Sequence, residues 1–227
     1  MEITKNSSKN TKKILIQIVL FLGLVVAILF GWNYFKNNLQ TVMKVPNFEL
    51  INQNNQKITN RDMLAKVYLV EFFFARCPTI CPVMNRNLKY VDQEIHDPNF
   101  GIISISIDPK NDTPEFLKEH AKKMGVTNPN WHFLTGNRDY IGKIADEFDI
   151  YVGKNVSEAE SLNHSGMIAL VDKKGNVRCR INEKGTPILY YSGLNYEDEA
   201  GTKPKLDGKF QPDRKLLIED IRKLLEE

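Results

Sequence analysis

Apolar and polar residues follow each other along this chain in more than one rhythm. Residues 66–74, KVYLVEFFF, form a nearly unbroken apolar run that predicts a central strand covered on both faces. GIISISID (101–108) and WHFLTG (131–136) predict two more strands, the second with a glycine exit. Between the strands the spacing changes. Met84, Leu88, Val91 and Ile95 fall at i, i+4, i+7 and i+11, which is one face of a helix. Thr113-Pro114-Glu115 opens a second helix, with proline at its first position and Leu117, Ala121 and Met124 facing inward. Ile141, Ile144, Ala145 and Phe148 mark a third. GMIALVD (166–172) and VRCRI (177–181) flank Lys174-Gly175-Asn176 and predict a hairpin. Residues 46–60 predict another, with Asn54-Asn55 at its tip. Leu217, Ile221, Leu224 and Leu225 give a closing helix its apolar face, and residues 183–211, rich in Gly, Lys and Asp, predict a loop. Strands alternating with helices, then a hairpin and a helix, predict an α/β fold with a mixed sheet flanked by helices.

The longest apolar stretch stands apart from this pattern. Residues 14–35 hold about 20 mostly apolar residues without a charge, enough to cross a bilayer. Lys5, Lys9, Lys12 and Lys13 precede it, and Trp32 and Tyr34 close it as an interfacial belt would. A cleaved signal peptide would have a shorter apolar region and a small-x-small cleavage site, and neither is found. No cysteine lies in the segment, so lipidation there is excluded. The expected organisation is a cytoplasmic basic tail (1–13), a transmembrane helix (14–35), a polar linker (36–45) and a folded domain (46–227) outside the cytoplasm. That is a single-pass membrane protein with its folded domain outside the cytoplasm. The net charge of +3 comes entirely from the four leading lysines and Glu2. The remainder is balanced and shows no basic stripe with interleaved aromatics, so no nucleic-acid partner is expected.

The candidate chemistry lies directly after the first central strand, in FFFARCPTICP (72–82). Outside the cytoplasm a close thiol pair tends to oxidise. The chain has three cysteines, which cannot all pair within it, so Cys77 and Cys81 read as a working pair rather than a brace. If Cys81 lies in the first helical turn, a rise of about 1.5 Å per residue puts the two Cα atoms roughly 6 Å apart, within disulfide reach. A helix N-terminus is expected to lower a thiol pKa. A βαβαβ half, a ββα half and a thiol pair after the first central strand make the thioredoxin-like pattern. Thiol oxidoreductases of that fold usually carry two residues between their cysteines, and here there are three, which leaves room for a metal. Two thiolates suit Cu(I), and an imidazole would complete a trigonal site. Zinc in a structural role would want four ligands. Of four histidines, His96 reads as a turn residue, His120 as a surface residue of a helix and His132 as a strand residue. His164, before an apolar strand expected to run antiparallel to the cysteine strand, reads as the imidazole that meets the sulfurs.

CPTICP (77–82), ISIDPKNDTPEFLKEHAKKMG (105–125), WHFLTG (131–136) and HSGMIALVDKKG (164–175), in that order, resemble the Sco (SenC) copper-chaperone family. The resemblance covers most of the chain beyond residue 46. It implies a thioredoxin-like domain on a membrane anchor, with copper, as Cu(I) or Cu(II), held by Cys77, Cys81 and His164. It also implies a role in cytochrome c oxidase assembly: delivering copper to the copper A centre of subunit II, or reducing the cysteines there, with copper received from a donor protein. Departures are Phe73-Phe74-Ala75-Arg76 before the first cysteine, where Gly-Phe-Thr is frequent, and Asn163 where aspartate is frequent before the histidine.

Other readings accompany these. Asp108 and Asn163 are candidates for support around the ligands, and Asp108 serves equally as a turn residue. Arg76 reads as a solvated loop charge, Met84 and Met167 as core, and Cys179 as a small buried hydrophobe on a strand. The rival function is an extracytoplasmic thiol–disulfide oxidoreductase using a Cys77–Cys81 disulfide, which needs no His164. The leading reading is a carrier rather than a turnover enzyme. A peroxidase would want Thr-x-x-Cys and is disfavoured by Phe74-Ala75-Arg76 before Cys77.

Overall fold

The computed structural model describes residues 14–29, 31, 39–78, 80–152, 166–182, 184–194 and 213–227. Its strands are β1 (Gln40–Lys44), β2 (Glu49–Asn52), β3 (Lys57–Thr59), β4 (Val67–Phe73), β5 (Phe100–Ser106), β6 (Trp131–Thr135), β7 (Met167–Val171), β8 (Asn176–Ile181), β9 (Pro187–Ile188) and β10 (Tyr191–Ser192). The helices are α1 (residues 14–29), α2 (Cys81–Ile95), α3 (Pro114–Met124), α4 (Arg138–Glu147) and α5 (Asp213–Glu226). Helix α1 and residues 180–187 belong to one compact unit, and the sheet domain of residues 40–179 and 188–227 is another. In the first unit the large apolar side chains of α1 are exposed, Leu20 and Phe21 among them. Among the described residues no helix is long and apolar enough to cross a membrane. The expected span of 14–35 extends past α1 into residues outside those described.

The sheet runs in the order β1-β8-β7-β4-β5-β6-β2-β3. β4, β5 and β6 are parallel neighbours, and β7 lies antiparallel to β4 with Glu71 opposite Ile168. This is the thioredoxin-like mixed sheet that the apolar runs predict. Every residue of β4 and β5 is buried, as strands covered on both faces require. Two successive right-handed crossovers in one direction, β4-α2-β5 and β5-α3-β6, put α2 and α3 on one face. Asn85 of α2 meets His120 of α3 at 3.4 Å, and Lys89 Nζ donates to the Met124 carbonyl at 2.6 Å. Helix α5 joins the same face: Arg214 donates to Asn87 Oδ1 at 3.3 Å and lies 3.8 Å over the Tyr90 ring. On the opposite face Phe148, capping α4, meets Phe72 edge to face.

Local signals explain the element ends. Thr113 caps α3 by accepting from Phe116 N, with Pro114 following. Gly125 ends the helix at φ 66°, in the left-handed region that glycine reaches without strain. Two expectations need correction. The polar linker (36–45) contains β1, which pairs with β8 from Gln40 opposite Cys179 to Lys44 opposite Asn176. Backbone pairing at a sheet edge needs no apolar run, and none of the β1 residues is buried. Met167, expected in the core, is exposed at the start of β7, whereas Met84 is fully buried.

Candidate metal centre

Strand β4 ends at Phe73, and the chain turns tightly, with Cys77 N donating to the Phe74 carbonyl at 3.2 Å. Helix α2 begins at Cys81, with Pro82 in its first turn and no side-chain cap at Ile80. The cysteine takes part of that role: Cys81 N donates to Cys77 Sγ at 3.5 Å. The sequence-predicted placement of the pair, one thiol in the loop and one in the first helical turn, is what the structure contains. Both are buried, Cys77 at 7% and Cys81 at 2% exposure, and neither is in a disulfide.

The expected lowering of the thiol pKa by the helix terminus does not extend to Cys81. Its hydrogen bond with the Cys77 side chain, and secondarily its burial, push the Cys81 thiol far up. The contact and the burial thus favour the protonated thiol of Cys81, and a cation that binds the sulfur, or its oxidation, displaces that proton.

A cavity of about 350 Å³ opens onto the pair, lined by Ala75, Cys77, Cys81, Pro82, Asn85, Arg86, Lys89, His120 and Met124. His120, expected on the surface, is half-buried here. Its ring lies 5.8 Å from that of Phe73 and 5.7 Å from that of Phe133, and burial lowers its pKa. Sequence reasoning missed it although Leu117, Ala121 and Met124 beside it on α3 are apolar, because Glu119 next to it read as part of a solvated face. Only the docking of α3 against α2 turns it towards the thiols.

The loop before Cys77 is held from below. Asp112, fully buried, accepts from Ala75 N at 3.0 Å and from Ser106 Oγ at 2.6 Å. Asp108, 4% exposed, accepts both bonds from Asn111 Nδ2 and sits 3.8 Å from Arg76. Burial first, and then the charge of Asp112, raise the Asp108 pKa; burial likewise raises that of Asp112. Asp108 is thus both a turn residue and a tether on Arg76, the residue preceding Cys77. Arg76 is half-exposed and lies 5.9 Å from the centre of the Phe116 ring.

His96 ends α2 in a left-handed conformation, and His132 is a β6 residue whose ring nitrogen is 3.5 Å from Asn52 Nδ2. His164 and Asn163 lie outside the described residues. Among those described, no group of three or more His, Cys, Asp or Glu side chains is gathered as a metal cage. Cys179 is buried on β8, away from the cavity lining, as a small hydrophobe would be.

Residues 37–195 match the family model described as SCO1/SenC. An SCO2-like protein of Rickettsia prowazekii is 34% identical over 134 residues, covering 56% of this chain and 64% of that protein, just under two thirds of its length. The fold is similar to that of BsSco, described as a member of the Sco family of cytochrome c oxidase assembly proteins with a disulfide switch. That similarity has a TM-score of 0.63 at 24% identity, over 83% of this chain and 96% of that one. It is also similar to copper-bound ScoI of Bradyrhizobium japonicum, with a TM-score of 0.57 at 21% identity, over 81% of this chain and all of that one.

Proposed function

Because the chain belongs to the SCO1/SenC family, we propose that it is a membrane-anchored copper carrier serving cytochrome c oxidase assembly, with copper as its cargo. Cys77, Cys81 and His164 are the donors. Two sulfurs and one imidazole form a soft set that suits Cu(I) and accommodates Cu(II). The observation that carries the reading is two buried sulfurs brought together at the mouth of a cavity, where β4 has ended and α2 begins. The Glu71–Ile168 register, continued by two residues, brings Gly166 level with Phe73. Gly193 donates to the Gly166 carbonyl at 2.8 Å, and a Cβ on Gly193 would come within 3.0 Å of Met84 Cγ, one helical turn beyond Cys81. His164 is two residues from Gly166, a chain reach of about 7 Å. Asn163 and Asp108 support the loops on either side.

The recipient is the copper A domain of oxidase subunit II, and a separate protein supplies the copper. Residues 14–35 hold the chain in a bacterial cell membrane, with residues 1–13 inside and 46–227 outside. The lysine distribution and the exposed apolar side chains of α1 support this. The test is copper content of the anaerobically purified chain in detergent. About one copper per chain is expected, with affinity for Cu(II) reduced most by His164→Ala. Full copper affinity after that change would end the ligand assignment.

The contact between Cys81 N and Cys77 Sγ also favours a second reading, a thiol–disulfide oxidoreductase acting on the same copper A cysteines. It is distinguished by disulfide reduction that survives both chelation of copper and His164→Ala.

A further inference from the structure

Besides the two sulfurs, the cysteine cavity is lined by Arg86 and Lys89 of α2 and by His120 of α3, and among the described residues no carboxylate lines it. Further cations stand close by. Arg76, the residue before Cys77, has a half-exposed side chain set against the Phe116 ring at 5.9 Å. Lys123 is exposed one helical turn beyond His120, on the same side of α3. Lys89 is held in place: its Nζ donates to the Met124 carbonyl at 2.6 Å, and a Cβ on the following Gly125 would come within 3.0 Å of it.

The carboxylates of the same elements lie elsewhere. Glu119 lines a separate cavity with Lys118 and Lys122. Asp92 takes a bond from Asn128, Glu94 pairs with Arg222, and Glu115 is in the first turn of α3, at the end away from Met124. Asp108 and Asp112 are buried beneath the loop, and Asp108 answers part of the Arg76 charge from 3.8 Å. Beyond the leading lysines the chain is balanced in charge, so the cations around the cysteines are a local concentration and not a bulk excess. A bare metal cation approaching this mouth meets like charges, whereas an anion is drawn in. Copper(I) held between two thiolates is such an anion.

We propose that the mouth of the cysteine cavity is an electropositive port that admits copper(I) as an anionic bis-thiolate complex and repels it as a free cation. The proposal rests on the carrier reading of Cys77 and Cys81 and names the chemical form in which their cargo arrives. In the exchange, the two copper–sulfur bonds to the incoming thiolates break and two to Cys77 and Cys81 form. The protons of the two cysteine thiols pass to the departing thiolates, which leave as thiols. Copper stays Cu(I), and the single negative charge of the copper–sulfur unit passes to the loaded pair, beside Arg76, Arg86 and Lys89.

The test measures how fast the reduced full chain, in an uncharged detergent, loads from two copper(I) sources. One is the copper(I)–glutathione complex, an anion, and the other the tetrakis(acetonitrile) complex, a cation. Sodium nitrate is varied from about 10 to about 300 mM, which shrinks the Debye length from ~30 Å to below ~10 Å. Loading from the anion is expected to slow about tenfold, and loading from the cation to hold or quicken. Arg76→Gln combined with Arg86→Gln should flatten the dependence on the anion, and Arg86→Lys should keep it, which separates the port from the basic tail of residues 1–13. A readout without copper is the reaction of the thiols with dithiobis-nitrobenzoate, a dianionic disulfide, beside cystamine, a dicationic one. Salt should slow the first and quicken the second. Salt-insensitive rates with the anionic probes, or an undiminished dependence in the double variant, overturn the proposal. Copper content at equilibrium reports on the carrier reading separately. Normal content with salt-insensitive loading removes the port alone, and no bound copper alongside charge-sorted thiol reactions removes the carrier reading.

Discussion

Two buried carboxyl groups below the cysteine loop make the clearest predictions at the scale of single residues. Burial pushes Glu71 up to about 7, against the opposing pull of its Ser104 hydrogen bond. In the unfolded chain it returns to the ordinary glutamate range near ~4.3. The folded chain holds this proton to higher pH, so the group's stabilising contribution is complete below ~4.3 and is lost as pH rises through about 7. Glu71→Gln is expected to gain stability relative to the native chain between pH 5 and 8, on the order of 1 kcal/mol or more. Urea unfolding midpoints across that range measure it, and parallel pH curves for the two chains would contradict it. Asp112 acts differently, as the acceptor that fixes Ala75 two residues before Cys77. Asp112→Ala is expected to cost about 1–3 kcal/mol, because it strands a part-buried N–H and a buried hydroxyl. It should also weaken copper retention against a chelator, with Asp112→Asn restoring part of both. Unchanged copper retention in a destabilised Asp112→Ala chain would confine Asp112 to the fold.

At the scale of elements, the described site is a meeting of the exit of β4, the start of α2 and the facing side of α3, and the proposed third ligand would reach it from the start of β7. Gly166, just before β7, has φ 67°, and a Cβ there would fall 2.7 Å from Leu194 Cδ1. Gly166→Ala is expected to cost about 1–2 kcal/mol for the left-handed backbone. If His164 is a copper donor, the same change should loosen copper without touching either sulfur, read as faster loss of copper to a chelator. A loss rate equal to that of the native chain would separate the β7 approach from the metal. Much of this arrangement was legible in the residues. KVYLVEFFF and GIISISID declare themselves as central strands because both faces are covered, and the Met84–Leu88–Val91 spacing declares α2. The thiol pair was legible because its prolines and the preceding strand locate it. β1 was not, since a half-exposed edge strand is held by backbone bonds that leave no apolar trace. His120 and Glu71 were not, because what distinguishes each is a neighbour from another element: α2 for the first, Ser104 for the second. In retrospect the signal for Glu71 was a charge inside an otherwise apolar run.

For the molecule as a whole, the account joins an anchor to a soft-metal site on a thioredoxin-like domain. The full chain is expected to stay with the membrane pellet through alkaline carbonate extraction, and a chain lacking residues 1–35 to appear in the soluble fraction. Release of the full chain by carbonate would contradict the anchor. The central claim, that Cys77, Cys81 and His164 meet on one copper ion, is tested most directly by X-ray absorption of the copper-loaded chain beside His164→Ala. The account predicts two sulfur scatterers in both samples and a nitrogen scatterer that disappears with the imidazole. An identical nitrogen contribution after the substitution, or a copper shell without sulfur, would contradict it.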